Sequence, residues 1–367
     1  MSASFWNGKR VLITGDTGFK GAWLSYILNN HGSTVQGVSS SEFNQNTNLY
    51  SSLELNKITN TIDCDIRNID EIKRIFKSFN PDIVFHLAAQ PLVRHSYKDP
   101  LLTYETNVIG TLIILEAIKE TSSVQAAVMV TTDKCYENHE WEWGYRENDP
   151  LGGHDPYSSS KACAELLISS YQQSFFNNAK SSPGISSVRA GNVIGGGDWA
   201  KDRIVVDCMK AWNEKRTLEI RSPNATRPWQ HVLEPLSGYL IFGQELNNSD
   251  KLNGEGFNFG PRAEQNHTVD DLLLDLSKYW NFQNINDAYK VMEQIPFHEA
   301  GLLKLNCDKA LFYLNWGSNL TYSDNIKFTS EWYYDYYRKK INMYDKTIQQ
   351  IAEYESLAQD KNLQWTE

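Results

Sequence analysis

Tyr157 and Lys161 stand four residues apart in the run Asp-Pro-Tyr-Ser-Ser-Ser-Lys, so on a helix they share one face. An ammonium beside a phenol lowers the phenol pKa, and such a pair can take a proton from a hydroxyl near neutral pH. Spacing alone carries little weight. Among 19 tyrosines the same pattern recurs as Tyr336 and Lys340, in a tyrosine-rich stretch that reads as packing. The loop Val130-Thr131-Thr132-Asp133-Lys134, upstream of the first pair, separates the two. Thr132 can hydrogen-bond the substrate oxygen that the tyrosine addresses. Asp133 and Lys134 add a carboxylate and an ammonium, and so proton transfers beyond a simple oxidation. A surface Asp-Lys ion pair would look the same in sequence.

Gly15-Asp16-Thr17-Gly18-Phe19-Lys20-Gly21 follows the apolar run Val11 to Thr14 and precedes Trp23, Leu24, Ile27 and Leu28 at helical spacing. Glycines let a backbone turn tightly against a pyrophosphate. The helix that follows offers free N–H groups and its positive dipole end. Gly15, Gly18, Phe19, Lys20 and Gly21 are therefore candidates to hold a dinucleotide. After strand two the chain reads Ser39-Ser40-Ser41-Glu42. The acid that usually receives the adenosine ribose is missing there or displaced to Glu42. No Arg or Lys beside Ser39 awaits a 2′-phosphate either, so NADP is not favoured. Asp65 either holds the adenine amino group or caps the next helix. Ala88, Ala89 and Gln90 follow strand four, where a cofactor could pass close or the chain could simply turn.

These residues need a scaffold, and the first ~190 residues alternate short apolar runs with helical periods, the pattern of strand–helix units. Strands are expected at Val11 to Thr14, Thr34 to Val38, Thr61 to Asp65, Asp82 to Ala88, Ala126 to Val130 and Ser187 to Ile194. Long helices are expected at Leu101 to Lys119 and Tyr157 to Phe176. Continuous rather than alternating apolar strands imply a parallel sheet covered on both faces: an α/β fold with a doubly wound, Rossmann-type sheet. Residues 1–190 read as the dinucleotide-binding domain. Residues 191–367 read mostly as a smaller substrate domain, with segments returning to the sheet and helices around Val269 to Trp280 and Asp324 to Ile341. His86, inside a buried strand, reads as a core histidine.

The 367 residues carry 35 Lys and Arg against 45 Asp and Glu, a net charge of −10. An acidic chain is a poor match for nucleic acid or an anionic membrane. No uninterrupted apolar run approaches the ~18 residues that would span a bilayer, and the N-terminus does not read as a signal peptide. Five scattered cysteines without a CxxC pair argue against zinc and suit a reducing cytoplasm.

The GxxGxxG spacing resembles the extended short-chain dehydrogenase/reductase family. The runs GDTGFKG, TTDKCYEN, WGYRENDP, DPYSSSKACAE, RAGNVIGGGDWA, RPWQHV and HEAGLLKL, from residue 11 to about 308, resemble its CDP-glucose 4,6-dehydratases. Asp16 stands where that family suggests His. The resemblance implies a lyase that uses NAD catalytically on a nucleotide-diphosphate sugar, in deoxysugar and O-antigen biosynthesis. It implies Tyr157 as base for the C4 hydroxyl, Thr132 assisting, and Lys161 on the nicotinamide ribose. Asp133 would protonate the leaving C6 hydroxyl and Lys134 would take the C5 proton. A lysine base must be neutral, which asks for desolvation or a neighbouring cation. Asn107 either orients the sugar or is a satisfied helix Asn. Asn192, Arg203 and Arg227, beyond strand six, are the diphosphate candidates. Trp141 and Trp143 wall the sugar or pack under the loop. Family resemblance also implies a homodimer, or a dimer of dimers, through the two long helices. A dTDP-glucose or GDP-mannose dehydratase and a 4-epimerase are the alternatives, though an epimerase has no use for Asp133 and Lys134. The non-enzymatic alternative, an NAD-sensing scaffold with a dead site, is opposed by the intact Thr132, Tyr157 and Lys161.

Overall fold

One sheet organises the chain. It contains β1 (Arg10–Thr14), β2 (Thr34–Ser39), β3 (Asn60–Asp63), β4 (Ile83–His86), β5 (Ala126–Val130), β6 (Gly184–Arg189) and β7 (Phe257–Asn258), in the order β7-β6-β5-β4-β1-β2-β3. Every pairing is parallel. The computed structural model describes residues 3–43, 49–177, 182–220, 222–282, 284–292 and 302–363. Val11 to Ile13, Ile83 to Phe85 and Ala126 to Met129 are buried without alternation, because helices cover both faces. Around the sheet lie α1 (Phe19–Asn30), α2 (Ile69–Phe79), α3 (Gly110–Lys119), α4 (Pro156–Tyr171), α5 (Leu233–Asn248), α6 (Tyr322–Tyr334) and α7 (Met343–Asp360). The strand order reverses between β1 and β4, which opens a crevice at their carboxyl ends.

Several boundaries differ from the sequence expectation: strand three is Asn60–Asp63 rather than Thr61 to Asp65, and strand four is Ile83–His86 rather than Asp82 to Ala88. The sixth strand runs over residues 184–189 rather than Ser187 to Ile194. The chain leaves the sheet because Gly191 abuts Asp133 and Asn192 adopts φ +52°; Val193 and Ile194 pair with Gln230 and His231 instead. The two long helices are continuous but each contains a wide turn, at Glu105–Ile109 before α3 and at Gln172–Phe176 after α4. Wide turns of this kind cluster at functional sites, and Asn107 sits in the first. The helical stretch Pro100–Lys119 is long and apolar enough to cross a membrane by length and composition, with mean hydropathy 1.4. Half of it is buried inside the fold, against α2 and α4.

Segments beyond residue 191 complete the sheet layer. α5 packs on β5 and β6, and β7 pairs with β6. α7, in the stretch that carried no sequence motif, docks against both halves. Tyr344 meets Tyr26 of α1 edge-on at 5.4 Å, and Thr347 Oγ1 accepts a bond from the Trp332 indole at 3.0 Å. Glu234 on α5 anchors this region: its carboxylate accepts the backbone N–H groups of Asn319 and Leu320 and the hydroxyl of Tyr354.

Burial pushes the Glu234 carboxyl up to about 7 from an ordinary 4.5, against the opposing bonds from Leu320 and Asn319. A carboxyl whose pKa is higher in the folded state stabilises most when protonated. Its contribution is complete below about 4.5 and is lost as pH rises through about 7. Thermal melts across that window should show stability falling with pH, and Glu234→Gln should flatten the slope. A variant with the wild-type slope would assign the effect to other groups.

Candidate active site

The glycine loop is built against the end of β4. Gly15 takes φ +78°, and a Cβ there would lie 2.8 Å from the Ala88 backbone nitrogen. A Cβ on Gly21 would lie 2.0 Å from the Gly15 carbonyl oxygen, so α1 can pack on the loop only without a side chain. Gly18 caps α1 with no side-chain acceptor, which leaves the first N–H groups pointing toward an anion. This cradle fits a pyrophosphate, and Gly15, Gly18, Phe19 and Gly21 would hold it.

The neighbouring cofactor candidates divide. Ala88 and Ala89 are half-buried beside the loop. The Gln90 side chain turns inward, bonding Thr103 and the Leu92 backbone, because that closes its own loop. Asp65 is bound by Arg67 through Nε and Nη2 and accepts the Arg67 backbone N–H, so its carboxylate organises the turn after β3. Asn107 accepts from the Gln90 backbone N–H at 2.8 Å and donates to the Gln90 carbonyl at 3.1 Å and to Ser160 Oγ at 2.9 Å. Both its donors are used, which ties the strand-four loop to α4. His86 is a core residue, bridging Thr14 and Thr111.

At the carboxyl end of β5 the catalytic candidates converge. Thr132 donates to Asp133 at 3.0 Å and is hydrogen-bonded to the Tyr157 phenol. Asp133 is buried, receives Asn192 Nδ2 at 3.4 Å, and abuts Gly191, where a Cβ would fall 1.8 Å from its carboxylate. Lys20 and Arg203 carry charge to the same place: Arg203 acts on Tyr157 and Lys20, and Asp133 acts on both. Arg203 is also paired with Asp198 at 2.7 Å. Arg227 lies on a short strand pair with His267 and donates to the Thr226 carbonyl.

The electrostatics differ from what the Tyr-Lys spacing alone implies. Burial pushes the Tyr157 phenol up to about 12; the Thr132 hydrogen bond and Arg203 oppose this, while Asp133 adds to it. Burial likewise pushes Lys161 down to about 8, with Glu165 opposing. Its ammonium donates to the Val130 carbonyl at 3.3 Å. Lys20 falls to about 8 through burial and Arg203, Asp133 opposing. The desolvation asked of Lys134 thus falls on Lys20 and Lys161, since Lys134 is exposed on the outside of the turn. The cluster holds a buried phenol, a buried carboxylate, one buried and one half-buried amine and a hydroxyl-bonding Thr, a set suited to moving protons on a polyol.

Sequence reasoning missed what holds this cluster. Glu165, one turn beyond Lys161, accepts Arg189 Nε and Nη2 at 2.9 and 2.8 Å, Ser187 Oγ at 2.6 Å, and the Thr131 hydroxyl. Arg189 also reaches the Tyr136 hydroxyl and the Glu147 carbonyl. Asn258 on β7 joins Tyr136, Tyr145 and Asn306. Tyr239 on α5 lies over Lys20, which donates to its hydroxyl at 3.5 Å. No local spacing signals these partners. Trp141 packs on Tyr145 at 5.2 Å, whereas Trp143 is exposed. Of the HEAGLLKL run, His298 to Gly301 lie outside the described residues; Leu305 bridges to Tyr145.

Comparison with known proteins places this arrangement. The chain matches the GDP-mannose 4,6 dehydratase family over residues 12–329. It is 47% identical over 318 residues to the CDP-glucose 4,6-dehydratase of Salmonella typhimurium, covering 85% of this chain and 87% of that one. It is 25% identical over 343 residues to the dTDP-glucose 4,6-dehydratase of Haemophilus influenzae, covering 88% and 97%. The fold is shared with the epimerase Mth375 of Methanothermobacter thermautotrophicus (TM-score 0.76, 23% identity, 92% and 96% covered). It is shared also with the dTDP-glucose 4,6-dehydratase of Bacillus anthracis solved with NAD (TM-score 0.75, 20% identity, 91% and 99% covered). By the extent of the family match and the identity to a dehydratase across most of both chains, the chain belongs to the GDP-mannose 4,6 dehydratase family of extended short-chain dehydrogenases/reductases.

Proposed function

We propose that the protein converts CDP-D-glucose to CDP-4-dehydro-6-deoxy-D-glucose and water, with NAD regenerated in each turnover. The observation that carries this reading is the buried Asp133 carboxylate, hydrogen-bonded to Thr132 in the same cluster as Tyr157. It is an acid beside the oxidation site that inversion at C4 does not need. The nucleotide is drawn from the relative that is 47% identical.

NAD, when bound in the glycine cradle, supplies the acceptor for the C4 hydride and the donor that returns it to C6. Tyr157, aligned by Thr132, takes the C4 hydroxyl proton, and Arg203 lowers the energy of the phenolate so formed. Lys161, held by the Val130 carbonyl, would hold the nicotinamide ribose. The C4 ketone acidifies the C5 proton, which Lys134 accepts once a sugar covers this exposed side chain and removes its water. Asp133, oriented by Asn192, gives a proton to the departing C6 hydroxyl, so water leaves; Lys134 returns its proton to C5 as hydride returns to C6, and the proton held by Tyr157 passes through Thr132 to restore Asp133. Arg203 and the Asn192 segment receive the substrate's diphosphate side, with Arg227 as an outer contact.

A cytoplasmic homodimer in a deoxysugar pathway that feeds O-antigen completes the reading. All five cysteines are free, as a reducing compartment allows. Leu101, Ile109, Leu166 and Phe175 are exposed along the Pro100–Lys119 helix, α4 and the wide turn that follows it, and this apolar surface fits a second copy related by a two-fold axis. Leu166→Asp is expected to convert the dimer to monomer in light scattering at micromolar concentration. A wild-type protein that is already monomeric would remove the dimer reading.

Tyr157→Phe should reduce dehydration, followed by product absorbance in alkali, by roughly 10²–10⁴-fold, with substrate binding by calorimetry retained. Near-full activity would show the pair to be as accidental as Tyr336 and Lys340.

Asp133 and Lys134 are separated by exchange of the substrate C5 proton with deuterated solvent. Lys134→Met should stop both elimination and exchange. Asp133→Asn should stop elimination while exchange persists, because the proton still leaves although the hydroxyl does not. Two neighbouring variants with opposite exchange behaviour are not produced by general misfolding. Wild-type dehydration in both would favour a 4-epimerase.

A further inference from the structure

The sheet lacks an acid at the end of β2, yet three carboxylates gather around that point. Ser39, the last residue of β2, is already committed: its hydroxyl donates to Asp16 Oδ1 at 2.7 Å and accepts the Thr17 backbone N–H at 3.3 Å. Asp16 itself is fully buried, its second oxygen taken by Thr61 Oγ1. A Cβ on Gly37 would fall 1.9 Å from that carboxylate, so Asp16 fills the space under β2 and is closed to a ligand. Asp65 is occupied by Arg67. The third, Asp63, is exposed.

Asp63 ends β3 in register with Ser39. It lies two residues beyond Thr61 and therefore on the same face of the sheet, the face on which Asp16 and the glycine loop sit. Ser41 fixes its carboxylate: the Ser41 backbone N–H donates to Oδ1 at 2.8 Å and the Ser41 hydroxyl to Oδ2. Each oxygen so held keeps a free lone pair. The two bonds from Ser41 also keep the carboxyl below its ordinary range, and so ionised.

We propose that Asp63, held from β3 by Ser41, receives the adenosine ribose hydroxyls in place of an acid on β2 and excludes a 2′-phosphate. The inference rests on the reading of this site as one for NAD. An ionised carboxylate accepts hydrogen bonds from ribose hydroxyls and repels a phosphate ester at the same position. Selection for NAD then comes from the neighbouring strand, with the Ser39 position given over to bracing the glycine loop.

The test is isothermal titration of the full-length protein with NAD and, separately, with NADP. Wild type should prefer NAD. Asp63→Asn keeps the shape and removes the charge; it should weaken NAD by roughly 10-fold, the scale of one charge-assisted hydrogen bond, and narrow the ratio between the two cofactors. Glu42→Gln, which neutralises the other acid after β2, should leave both affinities unchanged. Since Asp63 is exposed, the melting temperature of Asp63→Asn should match wild type. Wild type that binds NAD, with an unchanged ratio in Asp63→Asn or with the shift appearing in Glu42→Gln, overturns the inference alone. Wild type that binds neither cofactor overturns the cofactor reading with it.

Discussion

The buried ion pair between Glu165 and Arg189 sets the geometry on which the site depends. Glu165 lies one turn beyond Lys161 and two beyond Tyr157 on α4, and Arg189 ends β6. Their side chains are almost wholly enclosed, and the remaining acceptor positions are filled by Thr131 and Ser187. The pair therefore pins the catalytic helix to the ends of two adjacent strands. A buried pair is not in itself strong stabilisation, because desolvation offsets the Coulomb gain. Removing one partner is another matter and costs about 3–5 kcal/mol, since the other charge is left uncompensated. Its value here is positional. It sets the rotation of α4, and that rotation decides whether the Tyr157 phenol meets Thr132.

Desolvation governs the charge state of the cluster. Tyr157 and Lys161 are buried and Lys20 is half-buried, and desolvation opposes the charged form of all three. A phenol pushed up and amines pushed down are poised to exchange protons only once compensating charge arrives with the ligands. Dry, pre-oriented surroundings strengthen whatever electrostatic contact is then made. Asp133 sits inside this environment and Lys134 outside it, so neighbours in sequence meet different dielectrics. That split follows from the tight turn after β5, which sends consecutive side chains to opposite sides.

Much of this was legible in the sequence where the determinants are local. The glycine loop and the buried strands follow from runs of a few residues, because turn, strand and helix signals act over that range; the pairing of Thr132 with Tyr157, 25 residues apart, came from the family resemblance. The doubly wound sheet followed from the alternation of those runs. What escaped has long-range causes. Glu165 and Arg189 are distant in sequence and ordinary in type. Asn107 and Gln90 read equally well as ligand contacts or internal bonds, and the internal bonds they make join parts of the chain 17 residues apart, beyond any local signal. Strand six ended early because Gly191 is needed against Asp133, a contact between separate loops. The placement of α7 could not be read because its dockers, Tyr344 and Tyr354, are spread along an amphipathic helix without a motif.

That placement bears on how the enzyme is made. α7 closes the cleft between Tyr26, near the start of the chain, and Glu234 in its second half, and β7 adds the edge strand only after β6 has formed. Contacts between opposite ends of a sequence form late, since they carry the largest loop-closure cost. During synthesis the first six strands can assemble while the faces reserved for α5 and α7 are still bare. The six-strand portion thus has apolar surface uncovered until α5 and α7 are made, a stage at which chaperone capture competes with aggregation.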